Sequence, residues 1–75
     1  MIFEKVRDAI AEQLEMNPDE ITLDSDLTKD LKTDSVDVIE IVMGLETEFG
    51  LEFAFDDLET LKTVGDVVRY IEEHQ

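Results

Sequence analysis

The sequence has no cysteine, no tryptophan, one proline, three glycines and a single histidine in 75 residues. Without cysteine there is no disulfide framework, no thiolate metal site and no thiol nucleophile from the chain itself. With His74 as the only imidazole, a histidine-based metal cluster or catalytic triad is excluded. Basic residues are also scarce: six Lys and Arg face twenty-one Asp and Glu, a net charge of −15. Such a surface repels nucleic acid and anionic membranes, and it favours partners rich in Lys and Arg. No apolar run is long enough to span a bilayer. The start, Met1-Ile2-Phe3-Glu4-Lys5-Val6, mixes charge into its apolar residues, unlike a signal peptide. The expectation is a protein without membrane insertion, in the cytoplasm or in an organelle after loss of a targeting segment. Apolar residues make up 43% of the chain, too many for a disordered acidic tail. Residues 1–75 are expected to form one compact monomeric domain.

Four segments read as helical and none as strand. Phe3, Val6, Ile10 and Leu14 recur at spacings of three and four, predicting a helix over 3–15 that ends before Asn17-Pro18. Residues 16–33 form a long connection. Its spaced apolar residues, Ile21, Leu23, Leu27 and Leu31, predict a loop pinned to the core. A second helix spans 35–49, from Asp34 as N-cap to Gly50 as stop. Val36, Val38, Ile39, Ile41, Val42, Met43, Leu45 and Phe49 fill more than half of its wheel, which predicts a helix at the centre of the fold. A short turn covers 56–61. A last helix covers 64–73, with Thr63 as N-cap, Asp66 in the capping-box position, and Val64, Val67, Val68 and Ile71 buried. The fold class expected is a small all-α four-helix bundle with three longer helices, one short one and a long first loop.

Asp34-Ser35-Val36-Asp37 is the most informative tetrapeptide. Asp34 serves as the cap and Asp37 places negative charge in the first turn, so the hydroxyl of Ser35 is not needed to cap. Ser35 has no base beside it: its charged neighbours Asp34 and Asp37 are acids, and the nearest cation is Lys32. It is therefore no catalytic nucleophile, and the chain is not read as an enzyme. It can still be a substrate for an enzyme that brings its own base or metal. A phosphate attached there would lie near the positive end of the helix dipole. Between Lys32 and Lys62 there is no Lys or Arg, while Asp34, Asp37, Glu40, Glu46, Glu48, Glu52, Asp56, Asp57 and Glu59 all fall in that interval. A solvated face is the ordinary explanation for such a run. The repulsion it costs, and its position around Ser35, favour a docking face for basic partners. The segment from Asp24 to Asp30 resembles the start of a calcium loop. It has Lys29 where such a loop needs Gly and Ser35 where it needs Glu, so no metal site is expected.

Nearly the whole chain resembles the acyl carrier proteins of dissociated (type II) fatty-acid synthase systems. The likeness rests on Phe3-Glu4-Lys5-Val6 with Glu12-Gln13-Leu14, on Asp26-Leu27 with Asp30-Leu31, on Asp34-Ser35-Val36-Asp37 with Glu40-Ile41-Val42-Met43 and Leu45-Glu46, and on Thr63-Val64-Gly65-Asp66. The resemblance implies 4′-phosphopantetheine joined to Ser35, taken from coenzyme A by a holo-acyl-carrier-protein synthase that uses magnesium. Acyl chains would ride on its thiol as thioesters. Asp34, Asp37, Glu40 and Glu46 would contact basic patches on fatty-acid synthase enzymes. Val36, Ile39, Val42, Met43, Phe49, Phe53, Leu58, Leu61 and Val67 are candidates for the acyl-lining core. A carrier of a polyketide or other specialised acyl pathway is the alternative within the class. An unmodified acidic adaptor bundle is the alternative outside it.

Overall fold

The computed structural model describes residues 1–31 and 33–75, apart from the side chains of Ser35 and Phe55. Three α-helices, α1 (Ile2–Leu14), α2 (Ser35–Phe49) and α3 (Val64–His74), alternate with 3-10 turns at Pro18–Glu20 and Phe55–Thr60. This is the expected all-helical bundle, with the Phe55–Thr60 turn as its short fourth element.

Helix α1 buries Val6, Ile10 and Ala11 and packs against both α2 and α3. The helix between the other two is therefore α1, not α2 as the width of the α2 apolar arc suggested. That arc is wider than its neighbours can cover. Ile41, Val42 and Leu45 enter the core, whereas Val36, Ile39 and Met43 are 62%, 42% and 59% exposed. Their spacing of three and four residues gathers them into one outward stripe.

Helix α1 ends within one residue of the expected 3–15, ahead of Asn17-Pro18. Glu15 turns into the left-handed region at φ 55, and Met16 donates its N–H back to the Ala11 carbonyl at 3.0 Å. This reversal tucks Met16 against the core. Asn17 then caps the 3-10 turn by accepting from the Asp19 N–H at 2.9 Å, with Pro18 at its first position. At the end of α2, Gly50 (φ 66) supplies the left-handed stop that the sequence predicts.

The long connection is held by side chains and by backbone. Ile21 and Leu27 are buried and Leu31 partly so, whereas Leu23 is 49% exposed and does not pin the loop through its side chain. Its carbonyl does so instead, accepting from the Gly65 N–H at 2.8 Å. A Cβ on Gly65 would come within 3.0 Å of that oxygen, so the close approach requires glycine. Ser25 O accepts from Val64 N at 3.0 Å and Lys62 O from Leu27 N at 2.8 Å, around an antiparallel bridge between Asp26 and Thr63. The connection thus pairs with the start of α3 as a strand would, without forming a strand. Two buried polar residues complete it. Ser25 Oγ accepts from Thr22 N at 2.9 Å, and Thr33 Oγ1 donates to Leu27 O at 2.5 Å.

Helix α3 opens with the predicted capping box. Thr63 Oγ1 accepts from Asp66 N at 3.1 Å, while Asp66 Oδ2 accepts from Thr63 N at 3.1 Å and from Lys62 N at 3.0 Å. Val64, Val67, Val68 and Ile71 are buried, and Tyr70 joins them. The Tyr70 ring stacks between Phe53 (centroids 4.6 Å apart) and His74 (3.9 Å), and its hydroxyl accepts from Ala54 N at 3.0 Å.

The capping box generates a prediction. The hydrogen bond from Lys62 N, followed by those from Thr63, holds the Asp66 carboxyl below its usual 3.8. A lowered folded-state pKa stabilises the fold above the unfolded pKa, and this contribution is lost as pH falls through the folded value. Asp66→Asn should therefore melt below the parent at neutral pH, with the gap closing below about pH 4. Thr63→Ala should cost about 1 kcal/mol at neutral pH by urea unfolding. A gap for Asp66→Asn that persists unchanged into acid would contradict this account.

Candidate functional site

The site forms where the long connection meets α2. Asp34 has extended backbone (φ −103, ψ −176), and its Oδ1 accepts from Asp37 N at 3.0 Å. Its carbonyl accepts from Val38 N at 3.1 Å, the first bond of the helix. Asp34 therefore performs both capping functions, and Ser35 is the first residue of α2, as the sequence implies. The side chain of Ser35, and Lys32 as a neighbouring cation, lie outside the described residues.

The only histidine in the sequence is His74. The His74 ring stacks on Tyr70, with Nδ1 2.8 Å from the Tyr70 carbonyl. The sole imidazole is thus engaged within α3. The acidic segment from Asp24 to Asp30 also has local work. Asp26 Oδ1 accepts from Thr28 N and Lys29 N at 2.9 Å and from Thr28 Oγ1 at 3.0 Å, and Asp30 Oδ2 accepts from Asp26 N at 2.8 Å. The Lys29 N–H, followed by the Thr28 hydroxyl, holds the Asp26 carboxyl below its usual value. These carboxylates shape a turn. Among the described residues, no group of three or more His, Asp or Glu is arranged to hold a metal ion.

Several acidic residues of α2 have intramolecular partners. Gln13 Nε2 donates to Glu40 Oε2, and Lys5 Nζ lies 3.7 Å from Glu48 Oε1. Glu46 lies further along the same helix. It is half-buried, and its Oε2 accepts from Phe53 N at 2.8 Å, seven residues on. The loop after α2 is thereby held at two successive amides, Phe53 by α2 and Ala54 by Tyr70 of α3. Sequence spacing could not reveal this role, because the contact depends on the loop folding back.

The nine candidate acyl-lining residues divide. Val42, Phe53, Leu61 and Val67 are buried, Phe49 and Leu58 are partly buried, and Val36, Ile39 and Met43 lie outside the core for the reason given above. A wholly apolar void of about 10 Å³ lies among Ile10, Leu27, Val38, Ile41, Val42, Leu61 and Val67. That is at most the room for one water.

A capped helix start with a serine that is not needed for the cap can bear a covalently attached group without losing the helix. Residues 4–71 match the family model described as a phosphopantetheine attachment site. The acyl carrier protein of Clostridium perfringens is 48% identical over 73 residues, covering 97% of this chain and 96% of its own. That of Lactobacillus acidophilus is 46% identical over 74 residues, covering 99% and 92%. The solved structure of the acyl carrier protein from Enterococcus faecalis superposes with a TM-score of 0.83 at 35% identity, covering 99% and 94%.

These matches define a carrier domain that bears covalent 4′-phosphopantetheine, not an enzyme. The chain belongs to the acyl carrier protein family.

The Glu46 contact yields a test. Glu46→Ala leaves the Phe53 amide without its acceptor and should cost about 1 kcal/mol in urea unfolding, with faster hydrogen exchange at Phe53. Glu46→Gln keeps an acceptor oxygen and should lose less. Unchanged stability and exchange in the alanine variant would show that the contact holds nothing.

Proposed function

We propose that this chain carries growing acyl chains of fatty-acid synthesis as thioesters on a 4′-phosphopantetheine attached to Ser35. The observation that carries the reading is the division of labour at the start of α2: Asp34 caps the helix, and the adjacent serine opens it. The prosthetic group ends in a thiol, the sulfur nucleophile that a cysteine-free chain lacks. Magnesium and the base come with the holo-acyl-carrier-protein synthase that attaches the group from coenzyme A. The molecule works as a monomer in the cytoplasm. Among the described residues, no helix is long and apolar enough to cross a membrane.

Docking follows from charge. Asp34, Asp37 and Glu40 lie on the first turns of α2 beside the serine, with Glu46 further along. They face partners whose basic patches complement a chain of net charge −15. Complementary charge speeds encounter, and because exposed charges are screened beyond about 8 Å at physiological ionic strength, the association weakens as salt rises. An acyl chain sheltered among Val42, Phe53, Leu61 and Val67 parts these side chains, because the apolar void beside Val42, Leu61 and Val67 is only about 10 Å³.

Intact mass tests the assignment. Incubation with holo-acyl-carrier-protein synthase, coenzyme A and magnesium should add one phosphopantetheine to the parent chain and none to Ser35→Ala. A parent chain of unchanged mass would favour the unmodified acidic adaptor. Titration calorimetry against a basic fatty-acid synthase enzyme tests the docking face: affinity should fall as salt rises, and Glu40→Lys should weaken binding while the melting temperature stays near that of the parent. Salt-independent binding would refute an electrostatic face.

A further inference from the structure

We infer that Thr33 is a positioning residue for the modification of Ser35, holding the start of α2 at a fixed place relative to α3. The inference rests on the reading of Ser35 as the attachment site. Thr33 stands two residues before that serine and is only 6% exposed, one of two buried polar residues in the chain's described core. It makes two bonds to one acceptor. Its Oγ1 donates to the Leu27 carbonyl at 2.5 Å, and its N–H donates to the same oxygen at 3.1 Å. Leu27 is itself anchored, with its side chain 3% exposed and its N–H donating to Lys62 O at 2.8 Å. Lys62 N in turn donates to Asp66 Oδ2 at 3.0 Å, in the capping box of α3.

A continuous set of hydrogen bonds therefore runs from α3 through Leu27 to Thr33, and the chain reaches Asp34 and Ser35 directly after it. Thr33 thus closes a loop back onto the Leu27 carbonyl, six positions earlier in the chain. Closing such a loop costs conformational entropy, and a buried hydroxyl bond offsets part of that cost before any enzyme arrives. Without the hydroxyl, the single remaining N–H bond holds the junction less firmly. The modifying enzyme must then order the segment itself, and that cost is charged to binding. The expected signature is a raised KM with kcat unchanged, because the hydroxyl orders the substrate and takes no part in bond making.

The experiment compares the parent, Thr33→Val, Thr33→Ala and Thr33→Ser as substrates of a 4′-phosphopantetheinyl transferase with coenzyme A and magnesium. All are assayed well below their melting temperatures. Both variants without the hydroxyl should raise KM for the carrier roughly three- to tenfold at constant kcat, the range one hydrogen bond supplies. Thr33→Ser keeps the donor and should restore the parent KM. Ile71→Val, a core change fully buried within α3, should lower stability yet leave KM alone. The inference is overturned if Thr33→Ala folds and keeps the parent KM, if serine does not rescue, or if Ile71→Val raises KM equally. A parent chain that accepts no group would instead overturn the assignment of Ser35, and this inference with it.

Discussion

Leu27 holds the molecule together in three directions. Its side chain lies in the core, its N–H reaches the residue before the α3 cap, and its carbonyl receives both donors of Thr33. Among the described residues the connection around it has a single 3-10 turn and no α-helix, and the bonds within its turns leave several backbone groups to be satisfied elsewhere. The residues that begin α3 supply the partners. The helix that carries the serine and the helix that closes the bundle are thus joined through an irregular segment, and the large α1 interfaces pack around that join.

The acidity of the chain has two consequences. Its few ion pairs are exposed or nearly so, and such pairs add little to stability. Its carboxylates contribute more as hydrogen-bond acceptors for backbone N–H groups: Asp26 in the turn, Asp34 and Asp66 at helix starts, and Glu46 across a loop. Charge-assisted bonds of this kind are stronger than neutral ones and need no cation. A chain with six basic residues can fold on these terms and still present a field that basic partners feel.

What could be read in the sequence was what depends on neighbours along the chain. The bounds of α2 follow from Asp34 and Gly50, and the α3 cap follows from Thr63 and Asp66, because capping is local chemistry. The buried stripes of α1 and α3 follow from periodicity. One feature misled. The wide apolar arc of α2 suggested a central helix, although periodicity cannot say which apolar residues find a place in the core, and Val36, Ile39 and Met43 stay largely exposed. The end of α1 was legible to within one residue, and a left-handed Glu15 makes the stop ahead of Asn17-Pro18. The start of α2 at Ser35 was legible because Asp34 beside it fills the cap. The buried hydroxyl of Thr33 and the reach of Glu46 to Phe53 were not, since both need the loops to be in place.

The aromatic stack has a practical corollary. Tyr70 is the only tyrosine and there is no tryptophan, so near-ultraviolet absorption and the fluorescence it excites come almost wholly from one ring held between Phe53 and His74. That ring touches the loop after α2 through its hydroxyl and the C-terminal turn of α3 through its face. The molecule therefore carries its own optical probe, placed where any loosening of the last helix from the rest would change the signal before the secondary structure is lost.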